Sequence, residues 1–201
     1  MSSSLCVTLE GRDVTLTPLT MDDVPGLVRA ANEDRSTYGF TRVPDSIAEM
    51  EEMVARLLAD QDDRSALPFA TRRSGEIVGM TRFLTLRWWS GRAFPDAAEI
   101  GGTFLANSAQ RTSVNSEAKL LMLTHAFDVW GVERVDLKTD ERNGRSRRAI
   151  ERLGTRFEGV LRQWQPSQVA GEEDQSRSSA MYSILPAEWP EVRDRLDERL
   201  R

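Results

Sequence analysis

The N-terminal third of the chain alternates between the residue spacing of strands and that of helices. Val14 and Leu16 alternate with threonines, which predicts a strand with one buried face. Apolar residues at helical spacing follow over residues 24–31 and predict a first helix. A capping box that begins at Ser46 opens a second helical stripe, and we predict that this helix ends near Asp60.

The middle of the chain carries three strand patterns. Residues 69–73 and 76–86 flank a Ser-Gly turn and predict an antiparallel hairpin. Residues 98–105 alternate with a period of two. This alternation places Glu99 and Thr103 on one predicted face of the strand, away from the Ile100 side.

An almost wholly apolar helix separates this strand from the next one. The helical pattern covers residues 118–130, Gly131 ends it, and residues 134–139 alternate again. A strand, a buried helix and a strand in succession form a βαβ unit, whose right-handed crossover makes its two strands parallel. Because ligands of such sheets favour the carboxyl ends of the strands, we expect a binding site at that edge.

The last third of the chain predicts a short helix, two strands and a terminal helix. These elements are predicted over residues 146–153, 157–164, 180–185 and about 187–200, respectively. The polar segment 166–179 between the two strands is predicted to be a mobile loop. Since we find no repeat and no linker, we predict one domain over residues 1–201, with a core over about 9–192.

Composition and charge narrow the possible functions. The chain of 201 residues is long enough to bury a core, and its net charge of -5 disfavours a nucleic-acid partner. Cys6 is the only cysteine, and there is neither a long apolar span nor a secretory signal, so we expect a soluble, cytoplasmic protein without membrane association. His125 is the only histidine, which removes most catalytic triads and histidine-rich metal sites; we expect no metal and place His125 in the core or an interface.

Two polar segments each lead from a strand into a helix. The first runs from Gln110 to Ala118, and the second begins at Asn143. The first turn of a helix has backbone N–H groups without intrahelical partners, and the helix dipole favours an anion there. The two junctions could therefore converge on one phosphate-bearing ligand. Plain helix-capping loops are the alternative, and Asn143 is itself a preferred cap residue.

Four motifs carry a family resemblance. They are Leu-Glu-Gly-Arg at residues 9–12, Glu-Ile-Gly at 99–101, Asn-x-x-Ser-x-x-Ala-Ile-x-x-Leu-Gly at 143–154, and Tyr-Ser-Ile-Leu-x-x-Glu-Trp-Pro at 182–190. Together with the order of elements, they resemble the GNAT superfamily of acetyl-CoA-dependent N-acetyltransferases, specifically its ribosomal-protein N-terminal (RimJ/RimL-like) branch. The resemblance extends over about residues 9–192.

This resemblance implies a fold and a cosubstrate. The implied fold is the GNAT fold, of class α/β (α+β), with a single mixed, mostly antiparallel sheet of about six to seven strands, a central parallel βαβ unit and flanking helices. The implied cosubstrate is acetyl-CoA, whose pantetheine arm pairs in this superfamily with a strand that splays from its neighbour. The implied cofactor-binding residues are Phe104, Leu105, Gln110, Arg111, Thr112, Ser113, Val114, Asn115, Ser116, Asn143, Arg145 and Arg148.

The phosphate loop departs from the superfamily pattern Gln/Arg-x-x-Gly-x-Gly/Ala. Gln110 matches this pattern, but Ser113 and Asn115 stand where glycines are usual. Glycine allows positive φ and a close approach of the backbone to phosphate. We expect Asn115, which enters the left-handed region readily, and the small Ser113 to preserve the backbone path. For Arg145 and Arg148, which share a predicted helix face, a phosphate contact and a solvated basic face both remain open.

Acetyl transfer to an amine needs a base, an oxyanion donor and a proton for the departing thiolate. Glu99 is the candidate base, acting through a water, and burial would have to raise its pKa; a glutamate paired with an arginine is the alternative. A backbone N–H near Phe104 or Leu105 is the candidate oxyanion donor. Where many members of the superfamily have a tyrosine as general acid, this chain has Ile150. The resemblance therefore implies Ser146 as the donor, although Ser146 as an ordinary helix residue remains open.

The sequence thus predicts an N-acetyltransferase. It would transfer acetyl from acetyl-CoA to a primary amine, either a protein N-terminal α-amine or a small molecule, by direct attack in a ternary complex. The alternative is a non-catalytic acyl-CoA-binding or regulatory module, suggested by the missing tyrosine and the lost glycines. A nucleotide-binding protein is disfavoured because no G-x-G-x-x-G or Walker lysine pattern is present. Apolar helix faces and several tryptophans also suggest a homodimer.

Overall fold

The structure is a computed structural model that describes residues 5–201. The strands are β1 (Leu9–Glu10), β2 (Val14–Pro18), β3 (Leu67–Arg73), β4 (Glu76–Arg87), β5 (Ala97–Leu105), β6 (Arg134–Asp140), β7 (Arg156–Pro166) and β8 (Ser176–Ile184). The α-helices are α1 (Val24–Ala31), α2 (Ile47–Asp62), α3 (Val114–Thr124), α4 (Gly144–Glu151) and α5 (Trp189–Leu200). Their order along the chain agrees with the predicted order.

All of these strands form one sheet in the order β1-β2-β3-β4-β5-β6-β8-β7. β5 and β6 are parallel, and the other neighbouring strands are antiparallel. This confirms the predicted mixed, mostly antiparallel sheet with a central βαβ unit. The sheet of eight strands exceeds the predicted six to seven, because the two-residue strand β1 pairs with β2 through Leu9 and Leu16. Two residues are too few for an alternating pattern to be recognised in a sequence.

Helices cover both faces of the sheet. On one face α1 packs against β4, where the Ile77 side chain fills the space beside Gly26. On the other face Phe83 of β4 contacts the Trp130 ring, with centroids 4.6 Å apart. α5 covers that side as well and stacks Trp189 on Phe127. The apolar side chains between these layers form one continuous buried cluster.

The long apolar helix begins earlier than predicted and changes its type in its last turn, but it ends at Gly131 as predicted. α3 begins at Val114 rather than at residue 118, so the polar loop before it is shorter than predicted. From His125 to Trp130 the chain continues as a π-helical turn, which Gly131 ends with a φ of 63°. His125 is buried beside Trp130, as expected for a core residue, although its Nε2 has no hydrogen-bond partner within residues 5–201.

The predicted mobile loop is shorter than residues 166–179. β7 ends at Pro166 and β8 begins at Ser176, so the first residue and the last four residues of that segment are strand, and this part of the prediction is wrong. Ser179 pairs with Asp140 of β6 and with Leu161 of β7. β8 has a strand on each side, so its polar residues lie in a sheet despite their loop-like composition.

The Leu-Glu-Gly-Arg motif anchors the start of the sheet to α3. Glu117 of α3 is buried and accepts hydrogen bonds from the backbone N–H groups of Arg12 and Asp13, the latter at 3.0 Å. Gly11 packs against the same carboxylate. A Cβ at Gly11 would overlap Glu117 Oε1 and would lie 3.0 Å from the carbonyl oxygen of Val14. The motif therefore requires glycine for space rather than for chemistry.

Replacing Gly11 with alanine is expected to lower the free energy of unfolding by about 2 kcal/mol, because the methyl group displaces a buried carboxylate from its N–H donors. Gly39→Ala is the matched control, since no atom lies within 4 Å of a Cβ at that position and its φ is −56°. The control should change stability by less than about 0.5 kcal/mol. Urea unfolding measures both variants, and equal midpoints for the two would contradict the role given to Gly11.

Candidate active site

The parallel strands β5 and β6 separate within the sheet. They pair only at their first three positions, from Ala97 with Arg134 to Glu99 with Asp136. β5 continues to Leu105 beside β4, while β6 continues beside β8. A gap therefore opens between the two strands beyond Glu99, at the carboxyl edge where the βαβ unit predicts a site.

A β-bulge in β5 decides which side chains lie on each face of this gap. Met80 and Arg82 are two residues apart on β4, but their partners on β5, Phe104 and Gly101, are three residues apart. Gly102 accommodates the extra residue with a φ of 57°, a left-handed value that glycine adopts without steric cost. The extra step turns Thr103 towards α3 and leaves Glu99 on the opposite face. The prediction that Glu99 and Thr103 share one face is therefore wrong.

A cleft of about 230 Å³ lies at the gap. Residues from β5, from the start of α3 and from the start of α4 line it, so the structure brings the two predicted loop-to-helix junctions to one site. The predicted residues in its lining are Glu99, Asn115, Asn143 and Ser146, together with Ile150. The predicted residues outside its lining are Phe104, Leu105, Gln110, Arg111, Thr112, Ser113, Val114, Ser116, Arg145 and Arg148.

Glu99 is buried in this cleft and forms an ion pair. Both of its carboxylate oxygens accept hydrogen bonds from Lys138 Nζ, at 2.6 and 2.8 Å. Burial raises the pKa of Glu99 above its ordinary value, although the Lys138 ammonium opposes this rise. The direction agrees with what a general base needs. The partner is a lysine of the neighbouring strand and not the arginine considered as the alternative from sequence.

Lys138 is a site residue that was not predicted, because its position depends on how β5 and β6 pair. Lys138 alternates with Asp136 along β6, and Asp136 pairs with Glu99 across the parallel strands. Residues paired across a sheet share a face, so Lys138 follows two residues later on the face of Glu99. Recognising this required the register of β5 and β6, which the sequence pattern alone does not give.

The phosphate loop uses a different residue for its turn than we expected. Arg111 has a φ of 60°, whereas Ser113 has a right-handed φ of −65° and Asn115 lies inside α3. The expectation that Ser113 and Asn115 replace the backbone freedom of glycine is therefore wrong. The Gln110 side chain fixes the loop by donating hydrogen bonds to the Leu105 carbonyl oxygen at 2.8 Å and to Thr37 Oγ1 at 3.0 Å.

The start of α3 keeps two backbone donors available. The first hydrogen bond within the helix runs from the Glu117 N–H to the Ser113 carbonyl oxygen. Among the three N–H groups before it, that of Val114 donates to Thr112 Oγ1 at 3.3 Å. The N–H groups of Asn115 and Ser116 then have no partner from the helix backbone, because they lie in its first turn. This end of α3 has the donors of an anion site.

The start of α4 is capped and tied to the phosphate loop. Asn143 Oδ1 accepts a hydrogen bond from the Ser146 N–H at 3.0 Å, which shows that Asn143 caps the helix. Arg145 donates to the Thr37 carbonyl oxygen at 2.5 Å and to Gln110 Oε1 at 3.3 Å. Arg148 is exposed and makes no hydrogen bond or ion pair within residues 5–201, as a solvated basic residue would.

Replacing Asn143 with alanine is expected to lower the free energy of unfolding by about 1 kcal/mol, because the N–H group of Ser146 loses its side-chain acceptor. Asn107→Ala serves as the control, since the Asn107 side chain makes no hydrogen bond in the part of the chain that the structure describes. Its effect should stay within about 0.5 kcal/mol. Thermal denaturation compares them, and a loss no larger than that of the control would contradict the capping role.

Lys119 is a second site residue that the sequence reasoning missed. It lies on α3 and is buried, and its Nζ donates to Thr81 Oγ1 and Thr103 Oγ1, each at 2.9 Å. It has no carboxylate within 4 Å among residues 5–201, and burial lowers the pKa of Lys119 to about 7. A single cation in an otherwise apolar helix was the available signal.

Residues 5–201 contain no group of three or more His, Cys, Asp or Glu side chains that could hold a metal ion. Within the same range, no helix is long and apolar enough to cross a membrane.

A mixed sheet that opens between parallel strands, with two helix starts and a buried glutamate at the gap, is the architecture of an acetyltransferase of the GNAT type. The acetyltransferase (GNAT) domain profile matches residues 13–156. The chain therefore belongs to the GNAT acetyltransferase family. This confirms the family predicted from the motifs and the fold predicted with it.

Solved structures agree with this assignment. A GCN5-related N-acetyltransferase from Brucella melitensis is 30% identical, with 98% of this chain and 87% of that chain covered and a TM-score of 0.83. A protein from T. thermophilus, assigned as an acetyltransferase, is 31% identical over 98% of this chain and 99% of that chain, with a TM-score of 0.82. Mycobacterium smegmatis RimJ, solved in complex with CoA-disulfide, shares the fold at 22% identity over 94% and 90% of the chains, with a TM-score of 0.78. No curated protein sequence matches the chain.

Proposed function

We propose that this protein is an N-acetyltransferase that transfers acetyl from acetyl-CoA to a primary amine by direct attack in a ternary complex. The observation that carries the proposal is the gap between β5 and β6, which has Glu99 at its start and the first turns of α3 and α4 beside it. The acceptor is a protein N-terminal α-amine or a small-molecule amine. The single cysteine of the sequence fits our further proposal that the protein works in the reducing cytoplasm.

Two parts of the gap suit two parts of acetyl-CoA, the pyrophosphate and the pantetheine arm. The free N–H groups of Asn115 and Ser116 at the start of α3 are suited to the pyrophosphate. The unpaired edge of β5 is suited to the pantetheine amides. The complex of RimJ with CoA-disulfide supports this use of the fold.

Leu105 is a better oxyanion donor than Phe104. The Ala106 N–H donates to the Val78 carbonyl oxygen of β4 at 2.8 Å, so by alternation Phe104 also points its N–H towards β4. Leu105 points the other way, and its carbonyl oxygen accepts from the Tyr38 hydroxyl at 2.8 Å. Of the two candidates, only Leu105 therefore directs its N–H to the side of the gap.

Glu99 would act as the base and Ser146 as the donor to the leaving group. Glu99 takes a proton from the acceptor ammonium through a water, and the neutral amine nitrogen then bonds to the acetyl carbon. The carbon–sulfur bond breaks, and the second proton of the nitrogen passes to the departing thiolate. Ser146 lines the same cleft and would give a hydrogen bond to the departing thiolate. Ile150, which has no proton to donate, lies beside it.

A direct test measures CoA release from acetyl-CoA with a panel of peptides that have free N-termini and of small primary amines. Mass spectrometry of the acceptors identifies the acetylated product. The proposal expects acetyl-CoA-dependent acetylation of at least one amine class. Absence of product and of CoA release across the whole panel would contradict it.

A non-catalytic acyl-CoA-binding module is the second candidate. Two observations favour it: Lys138 binds both oxygens of Glu99, and Ile150 replaces the usual acid. Calorimetry with acetyl-CoA separates the candidates. Binding without turnover, unchanged in Glu99→Gln and Ser146→Ala, would favour the module over the enzyme.

We also propose a homodimer. β7 is an edge strand, and its exposed apolar residues include Val160, Leu161 and Trp164. Light scattering after size-exclusion chromatography tests this, and a monomeric mass at micromolar concentration would contradict it.

A further inference from the structure

The cleft carries more positive charge than its own residues neutralise. Its titratable lining consists of four cations and one carboxylate: Arg82, Lys119, Lys138, Arg177 and Glu99. Lys138 already neutralises Glu99. This leaves Lys119, Arg82 and Arg177 without a carboxylate partner within 4 Å among the described residues. Lys119 donates to the hydroxyl groups of Thr81 and Thr103, whereas the two arginines have no such partners.

These two arginines differ from comparable arginines elsewhere in the protein. Arg72, Arg87 and Arg134 are also half-buried, and each has an aspartate oxygen 2.5 Å from a guanidinium nitrogen. By contrast, the guanidinium groups of Arg82 and Arg177 make no hydrogen bond and no ion pair within residues 5–201, and their Nε atoms are buried without a partner. The Nε of Arg87 is unpartnered as well, but another nitrogen of that guanidinium donates to Asp136. Burial lowers the pKa of both guanidinium groups from their ordinary value. An unpaired, partly desolvated guanidinium is costly unless a ligand completes it.

Both arginines lie on the face of the sheet that carries Glu99. Arg82 is opposite Gly101, two residues after Glu99 and before the bulge reverses the faces. On β8, Met181 pairs with Lys138, and alternation places Arg177 on the same face four residues earlier. The charge of Asp60 acts on Arg82 and that of Asp140 acts on Arg177, and the charge of Glu99 acts on both guanidinium groups.

The phosphates of acetyl-CoA do not account for these arginines. The proposed phosphate site is the first turn of α3, whose Asn115 lines the α3 side of the same cleft. α3 lies against the other face of the sheet, where Lys119 meets Thr81. The remaining ligand is the acceptor, which must approach Glu99 from its own face.

We propose that the acceptor is a primary amine that also carries a carboxylate, and that Arg82 and Arg177 bind this carboxylate while Glu99 takes the proton of the amine. Arginine suits this role because its planar fork forms paired hydrogen bonds with a carboxylate. The proposal rests on the function proposed above and specifies its substrate class. Two kinds of acceptor have this chemistry: free amino acids, and peptides whose first residue is acidic.

Matched pairs of acceptors test the proposal. Free amino acids are compared with their α-carboxamides, and peptides that begin with Asp or Glu are compared with peptides that begin with Asn or Gln. The carboxylate of the preferred source should lower KM by about tenfold to a hundredfold, the range expected for hydrogen bonds to a charged group. The first set of pairs reports on free amino acids and the second on acidic peptides.

Variants of Arg82 and Arg177 test whether these two side chains bind the carboxylate of the acceptor. Arg82→Gln and Arg177→Gln should each raise KM for the carboxylated acceptor at least tenfold and leave KM for its amide within about twofold, with acetyl-CoA affinity unchanged. Arg199→Gln, an exposed change on α5, is the control. Equal losses on both members of a pair, or a change in kcat and its pH profile alone, would overturn the proposal, because the arginines would then act only on Glu99.

A measurement on the wild-type protein tests the proposal even if the arginine variants do not fold. Deaminated carboxylates should inhibit competitively against the amine, and their amides should inhibit at least tenfold more weakly. Equal inhibition by both would overturn the proposal. If amines are acetylated but carboxylates make no difference, only this inference fails, whereas acetylation of no amine contradicts the proposed function itself.

Discussion

Glu99→Gln is expected to lower kcat/KM for acetylation of an amine by about a hundredfold to ten-thousandfold at pH 7, the range usually lost with a general base. Glutamine keeps the shape of the side chain but cannot accept a proton from the ammonium. Glu133→Gln, an exposed change between α3 and β6, is the matched control and should leave the rate unchanged. Steady-state kinetics with saturating acetyl-CoA measures both variants.

The pH profile separates a base from a structural ion pair. An α-amino group loses its proton with a pKa of about 8, so the deficit of Glu99→Gln should shrink as the pH rises to 9. For a lysine-like amine, with a pKa of about 10.4, the deficit should persist at pH 9. A deficit that does not vary with pH for the α-amine would indicate a structural role.

A substitution at Lys138 is a second way to change the pKa of Glu99. The Lys138 ammonium holds the pKa of Glu99 below the value that burial alone would give. Lys138→Met should therefore move the acid limb of the rate profile to higher pH. An unmoved limb would show that the titrating base is not Glu99.

Lys119→Met is expected to remove a pH dependence of stability that is specific to the wild-type protein. The pKa of Lys119 is about 7 in the folded state and about 10.4 in the unfolded chain, so between these values the unfolded state binds more protons. The contribution of Lys119 to the free energy of unfolding therefore rises with pH over this window. From pH 7 to 9 we expect this residue to contribute a rise of about 2 kcal/mol.

The substitution should also stabilise the protein at pH 6.5, by an amount on the order of 3 kcal/mol, because a buried ammonium without a carboxylate is removed. Thr81 and Thr103 lose a donor but stay satisfied, since their hydroxyl oxygens are 2.8 Å apart. Urea unfolding at pH 6.5, 8 and 9 gives the comparison. Met122→Leu on the same helix is the control and should keep the wild-type pH dependence. Parallel curves for wild type and Lys119→Met would refute the buried-cation assignment.

Much of the fold follows from local patterns in the sequence. The hairpin of β3 and β4, the βαβ unit and the terminal helix each carry their own periodicity, so their order was predictable. The geometry of the cleft depends on strand pairing and on a bulge, neither of which produces a periodic pattern in the sequence. β5 and β6 stop pairing beyond Glu99, and this loss of pairing leaves no periodic pattern in the sequence. The bulge at Gly102 places Thr103 on the face opposite to the one that strict alternation predicts.

The sequence predicted the type of site and several of its residues, but not the cations that line it. The motifs identified Glu99, Asn143 and Ser146, and the structure brings them to one cleft. Lys119 was hidden because a single lysine in an apolar helix hardly changes a periodic pattern. Arg82 lies in the middle of a strand, where its lack of a partner is visible only in three dimensions.

The two cleft lysines have a practical consequence. Lys119 and Lys138 are the only lysines of the chain, whose other basic side chains are arginine and the single His125. No lysine amine that could react with an ester therefore lies outside the cleft. An amine-directed label will report on access to this cleft, apart from the chain terminus. Its rate of incorporation, followed by mass spectrometry with and without acetyl-CoA, gives a footprint of occupancy without any engineered residue.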